Sequence, residues 1–240
     1  YLKLIKKNTA GLSARFKLLG QLLVSSGLAV WLWYLTPSDF YLPFFSSPVF
    51  DLGVFFIPFA LLVIIGSSNA VNLTDGLDGL AIGLSLLVAG TLGIFAFLTG
   101  NKMIAEYLKI PFVSGTGEIT VFMGALTGSG LGFLWFNAHP AEVFMGDTGS
   151  LFLGGVFGTV AVALKKEVLL MLVGGIFVAE AVSVILQVLF FKKTGKRIFK
   201  MAPLHHHFEL SGWPESKVIA RFWIIGIILS LLGIATLKLQ

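Results

Sequence analysis

Cysteine is absent from the 240 residues. That removes disulfides, thiolate metal sites and cysteine nucleophiles from consideration. Charge is scarce: Asp, Glu, Lys and Arg make up 12% of the chain, against about 25% in a soluble domain. Neither a GxGxxG fingerprint nor a Walker pattern occurs, so nucleotide binding of the Rossmann or P-loop kind has no support. Long internal repeats and low-complexity tracts are missing too; disorder, collagen and coiled coil are excluded. What abounds is apolar. Hydrophobic residues are 56% of the chain and the mean hydropathy is +0.93, a composition foreign to a water-soluble globule.

A spanning helix needs about 20 mostly apolar residues, because lipid offers no partner to bare backbone groups. Seven stretches qualify: near Leu18–Leu35, Leu52–Gly66, Leu77–Thr99, Ile119–Phe136, Ser150–Leu164, Val168–Phe191 and Ile219–Leu237. The second and fifth are short and are expected to extend into flanking motifs or to kink, Pro58 being the candidate kink in the second. The expected fold class is an all-α polytopic membrane protein, residues 1–240 forming one integral membrane domain. Gly124, Gly128 and Gly132, with Gly154 and Gly158, have the small-xxx-small spacing of helix packing.

Basic residues set the orientation. Lys3, Lys6, Lys7, Arg15 and Lys17 precede the first span without any acid, and Lys192, Lys193, Lys196, Arg197, Lys200 and Lys217 lie between the sixth and seventh. The positive-inside rule makes both segments cytoplasmic, and an odd number of spans is what places them on one side. The same alternation brings three polar segments, Ser67–Gly76, Asn137–Gly149 and the loop of His205–His207, to that face. Thr36–Asp51 then reads as an external interfacial loop.

These segments carry the chemistry. In Asn72-Leu-Thr-Asp75-Gly-Leu-Asp78-Gly, a helical period of three puts Asn72, Asp75 and Asp78 on one face, while Gly76 and Gly79 let a ligand approach the backbone. Carboxylates at a membrane boundary are costly, which favours a pocket over a capped turn. In the segment from Asn137 through His139, Glu142 and Phe144 to Asp147 and Ser150, Asp147 precedes the fifth span. A carboxylate there suits Mg²⁺, a hard cation that takes oxygen ligands and phosphates; capping alone explains one Asp but not the whole set. Pro203-Leu-His205-His206-His207-Phe208-Glu209 holds adjacent histidines, which cannot all face one metal on a helix but can bind phosphate or move protons. Lys3, Lys6 and Lys7 share a helical face that attracts anionic headgroups or clamps phosphates. Glu180, Ser183 and Gln187 lie on one face of the sixth span, where Glu180 calls for a pocket or a buried partner and Ser183 for an interhelical hydrogen bond. Transporters place polar groups near the midplane; here most lie at the boundary, as in an enzyme that transfers a phosphate-linked group from a soluble donor to a lipid.

The three motifs in this order, the last continued by Gly212-Trp213-Pro214-Glu215 and Val218, resemble the polyprenyl-phosphate N-acetylhexosamine-1-phosphate transferases, and among them the phospho-N-acetylmuramoyl-pentapeptide branch. The resemblance covers essentially the whole chain. It implies transfer from UDP-N-acetylmuramoyl-pentapeptide to undecaprenyl phosphate, giving lipid I and UMP, with Mg²⁺ as cofactor. It also implies a bacterial cytoplasmic membrane location with the active site on the cytoplasmic face, a homodimer, and no nucleic-acid partner. By position, Asp147 would hold the metal, with His206 and Lys3 as its catalytic companions. Asn72, Asp75 and Asp78 would line the uridine end, with Phe144 stacking on the base. Asn137, His205 and His207 would lie near the diphosphate and sugar, Lys7 near phosphate, and Gln187 toward substrate. The family carries an adjacent Asp pair just ahead of the segment matching Tyr1-Leu-Lys3, and about three further spans upstream; the natural full-length chain is expected to have both. The alternatives are a related transferase that uses UDP-N-acetylglucosamine and, from another class, a transporter.

Overall fold

The computed structural model describes residues 13–43, 45 and 47–238; Lys3, Lys6 and Lys7 lie outside them. Among the described residues, seven helices are long and apolar enough to cross a membrane: α1 (Ala14–Leu35), α2 (Phe56–Thr74), α3 (Leu80–Gly100), α5 (Gly117–Asn137), α6 (Gly146–Ala163), α8 (Gly175–Thr194) and α10 (Glu215–Ala235). Three short helices join them: α4 (Lys102–Tyr107), α7 (Glu167–Val173) and α9 (Leu204–Glu209). Strands β1 (Asp39–Phe40) and β2 (Phe50–Asp51) pair antiparallel in the loop after α1.

Both short spans extend into their motifs: α2 runs on through Asn72, and α6 begins at Gly146. Pro58 does not kink α2. It sits in the first turn, where no backbone N–H is required. The sixth run is broken at Gly174, because α7 ends at Val173 and α8 starts afresh at Gly175.

The core centres on α3, which packs against α5 and α10, with Leu80, Leu92 and Phe95 buried among Met123, Val218 and Phe222. A β-carbon at Gly83 would fall 2.3 Å from the Trp223 indole, so glycine there is what admits the ring. The second seam joins α2 to α6. Lipid tails are as apolar as leucine, so helices in a bilayer associate through close packing and interhelical hydrogen bonds, and this seam uses both. Ser67 Oγ donates to the carbonyl of Gly154 (2.7 Å) and Ser68 Oγ to that of Leu151 (2.9 Å). Gln21 on α1 donates to Ser68 Oγ (3.2 Å) and accepts from Asn69 (3.2 Å). A β-carbon at Gly154 would lie 2.3 Å from the Ser67 carbonyl oxygen, and one at Gly158 2.7 Å from Ile64 Cα. The small-residue expectation therefore holds for α6. It fails for α5: β-carbons at Gly124, Gly128 and Gly132 would meet nothing within 4 Å.

Two lysines after α6, Lys165 and Lys166, are buried. Lys165 donates to Thr36 Oγ1 (3.0 Å) and lies 4.3 Å over the Phe56 ring, while Lys166 faces Phe95.

Gly154→Val is expected to cost about 1–3 kcal/mol, the ordinary penalty of overpacking, by forcing α6 off α2. Gly155→Val, whose β-carbon meets nothing, is expected to be nearly neutral. Thermal denaturation of the two variants in detergent checks the difference.

Candidate active site

The α2–α6 seam ends at a polar cluster. Asn72 Nδ2 donates to Asp147 Oδ1 (2.9 Å) and contacts Ser150 Oγ (2.9 Å). Lys17 on α1 forms an ion pair with Asp147 Oδ2 at 2.7 Å. Asp147 stands in the first turn of α6, where the helix dipole favours a negative charge, and its side chain is 63% exposed. Asp75 caps α2. Burial, and after it the facing Asp147 carboxylate, hold the Asp75 carboxyl above its ordinary range; hydrogen bonds from Ser150 and the Gly146 backbone pull the other way.

Asp78 is not on the face shared by Asn72 and Asp75. The helix stops at Thr74, and the turn carries Asp78 to a second group. Its Oδ2 accepts from Ala141 N (2.9 Å) and lies 3.3 Å from His139 Nδ1. Its backbone N–H donates to Glu215 Oε1 (3.0 Å), and Glu215 Oε2 is 3.7 Å from His139 Nδ1. One ligand atom from each of Asp78, His139 and Glu215 falls within 4.8 Å of the others.

The glycines of the first motif serve the fold. Gly79 takes a left-handed conformation (φ 74°) to start α3, and its N–H donates to Asn137 Oδ1 (3.1 Å). At Gly76 a β-carbon would sit 2.3 Å from His205 Nε2, so an imidazole, not a ligand, occupies the space expected to be open there. Asn137 is buried, and its Nδ2 donates to Val143 O (2.7 Å). Both ends of that amide thus fasten the loop to the α2–α3 turn. Phe144 projects from this loop, 73% exposed.

The three histidines point three ways, as adjacency on a helix demands. His205 is buried, with Nδ1 3.2 Å from Glu180 Oε1, but not in hydrogen-bonding geometry. His206 Nδ1 meets Glu209 Oε2 at 2.7 Å. His207 Nδ1 accepts from Lys200 N (3.1 Å). Glu180 has the buried partner that its cost required: Oε2 accepts from Leu204 N (2.6 Å) and Oε1 from His205 N (3.1 Å). It thereby caps α9, the helix that bears the histidines. Ser183 bonds inside its own helix, to Glu180 O (2.7 Å), not between helices. Gln187 Oε1 accepts from Ile198 N and Phe199 N, both 3.0 Å, and its Nε2 donates to Phe199 O (3.1 Å). That amide holds the 198–199 loop, and Gln187 also lines a cavity of about 390 Å³ with Arg197 and Met201. Sequence reasoning misses Lys17, His139 and Glu215 as site residues. Lys17 reads in the sequence only as one of the basic residues that set orientation, and Glu215 only as part of a motif.

The two groups differ in chemistry. Around Asp147 stand the Asp75 carboxyl, the Ser150 hydroxyl and the Asn72 amide, with an ammonium already drawn to the carboxylate; the carboxylate and hydroxyl oxygens fit a hard divalent cation that shares its ligands with phosphate. Asp78, His139 and Glu215 mix an imidazole with carboxylates, which suits softer borderline metals better.

A membrane enzyme that joins a nucleotide-linked group to a lipid is the class this fold and polar end define, and the comparisons with known proteins agree. The glycosyl transferase family 4 model matches residues 8–165. A phospho-N-acetylmuramoyl-pentapeptide-transferase of Thermodesulfovibrio yellowstonii is 57% identical over the whole chain, which spans 68% of that protein. The homologues of the same name from Geobacter sp. strain M21 and Leptospira biflexa are 57% and 55% identical, with 68% and 69% of their lengths covered. The chain belongs to the phospho-N-acetylmuramoyl-pentapeptide-transferase family. Transferases of this family generally use a divalent metal.

Two outcomes follow from the geometry. The raised Asp75 carboxyl opposes folding once it must ionise. Stability therefore falls as pH rises through its folded-state pKa. Asp75→Asn is expected to raise the melting temperature of metal-free protein at neutral pH, with the gain shrinking in acid; a melting series across pH checks this. Glu180→Ala leaves the N–H groups of Leu204 and His205 unpaired and is expected to cost about 2–4 kcal/mol, read by denaturation in detergent.

Proposed function

We propose that the chain carries out the reaction of its family: phospho-N-acetylmuramoyl-pentapeptide passes from the UDP-linked donor to undecaprenyl phosphate, yielding lipid I and UMP at the cytoplasmic face of the bacterial inner membrane. The observation that carries this reading is the Asp147 cluster. Residues 17, 72, 75, 147 and 150 converge at one end of the helical bundle, and the most exposed carboxylate among them stands at a helix N-terminus.

Asp147 holds Mg²⁺ in this reading, with Asn72 and Asp75 orienting and balancing it. The ion, when bound, neutralises the donor diphosphate and the leaving UMP. Lys17 is the nearest described cation to Asp147 and is placed to share phosphate charge. Asp78 and the exposed Phe144 form the nucleoside end, the ring offering a stacking face to uracil. His206 lies with its charge partner Glu209 on the loop side, toward the sugar and diphosphate. His205 and His207 set the position of α9. Asn137 and Gln187 act on substrate through the loops they hold. Lys3 and Lys7 remain proposed phosphate contacts. For the acceptor, an apolar groove of about 340 Å³ runs between α2, α7 and α8 past Ala70, Val71, Phe177 and Ala181, within a turn of Asn72. It suits a prenyl chain whose phosphate reaches the cluster.

The protein at its natural length, incubated with undecaprenyl phosphate and UDP-N-acetylmuramoyl-pentapeptide, is expected to give a product with the mass of lipid I together with UMP. Product from UDP-N-acetylglucosamine alone would overturn the donor assignment. Asp147→Asn is expected to lower turnover by roughly 10²–10³-fold or more while melting like the wild type; normal turnover in that variant would remove Asp147 from the metal site.

A further inference from the structure

On the flank of α9 turned away from Gly76, a groove of about 520 Å³ opens between α8, α9 and α10. Ile176, Ala179, Leu204, Phe208, Phe222 and Ile225 give it a mainly apolar lining, and the one carboxylate in it, Glu180, is buried with both oxygens accepting from backbone N–H groups of α9. Trp213 closes one end, stacked on Phe208 at 4.7 Å. At that same end Arg221 lies 4.1 Å over the Trp213 ring, and Lys217, one turn earlier on α10, lies 5.4 Å from it. Both cations are exposed, and among the described residues neither is paired with a carboxylate. They sit in the first two turns of α10, at the end of the bundle that holds the Asp147 cluster. An apolar trough capped by an indole and two unpaired cations is the complement of a lipid with an anionic head.

We propose that this groove is a binding site for an anionic phospholipid, with its phosphate on Arg221 and Lys217 and an acyl chain along α8 and α10. The occupant is a bilayer lipid and not the prenyl acceptor, because this groove shares no lining residue with the apolar groove beside α2 that leads to Asn72. The lipid would buttress α9 from behind. Its binding links the histidine segment to bilayer composition, independently of the acceptor groove beside α2.

Native mass spectrometry of the natural-length protein in detergent tests this directly, with phosphatidylglycerol, phosphatidylcholine and undecaprenyl phosphate as probes. The wild type is expected to retain phosphatidylglycerol in preference to phosphatidylcholine. Replacing both cations (Arg221→Gln with Lys217→Gln) is expected to weaken phosphatidylglycerol binding about tenfold or more and to leave phosphatidylcholine binding unchanged. Ala179→Trp, which fills the trough without touching charge, is expected to displace the same lipid. A cation variant that melts like the wild type and still binds phosphatidylglycerol equally well would overturn the proposal. So would stoichiometric displacement of phosphatidylglycerol by undecaprenyl phosphate, which would assign the groove to the acceptor.

Discussion

The contact between α2 and α6 is the constraint on which the active end depends. Two serines on α2 reach the α6 backbone because Gly154 and Gly158 leave no side chain in the way. The helices are thereby held at backbone distance along their length. At the end of that seam, the last turn of α2 meets the first turn of α6, and Asn72 finds Asp147 and Ser150. Were the helices one side-chain diameter further apart, neither contact would form and the two carboxylates would no longer share a field. Gln21 ties α1 into the same seam and, one turn away on that helix, Lys17 reaches the cluster. Packing that serves stability in the middle of the bilayer thus becomes geometry at its surface.

Charge at this surface is balanced locally. Asp75 and Asp147 face each other, and burial alone would already disfavour ionised Asp75. Lys17 supplies one compensating charge; a divalent ion would supply a stronger one and accept phosphate oxygens as well. Glu180 solves the same problem differently. It is wholly buried, and its two carboxyl oxygens accept from two backbone N–H groups at the start of α9. One carboxylate stays exposed at the surface, while the other is sealed to hold a helix.

The spans, their number and the convergence of the polar segments are legible in composition and charge order, because length in lipid and basic-residue asymmetry act along the chain. The details that fail depend on partners distant in sequence. The helical period that groups Asp78 with Asn72 and Asp75 assumes that α2 continues, and it stops at Thr74. Spacing is equally silent on the backbone partners that Asn137 and Gln187 find where loop closure brings them near. Gly76 reads as a place for a ligand, yet the His205 ring arrives there from more than a hundred residues away. Gly124, Gly128 and Gly132 on α5 are spaced like the glycines of α6, but among the described residues nothing lies within 4 Å of their β-carbons, which spacing cannot report.

The histidine segment shows how these long-range contacts combine. Three adjacent imidazoles on one short helix must diverge by about 100° per residue, so a single role for all three is geometrically closed. What the run supplies is one ring facing inward, one hydrogen-bonded to Glu209 on the same turn, and one gripping the loop after α8. The inward ring depends on Gly76 in the α2–α3 turn and on Glu180 in α8, while Phe208 on the same helix packs against Trp213 and Phe222. A shift of α9 would therefore be felt at the turn that carries Asp75 and Asp78 and at the Trp213 groove together. The histidine helix is the mechanical link between the α3–α10 half of the bundle and the α2–α6 seam, and its position is set from both sides.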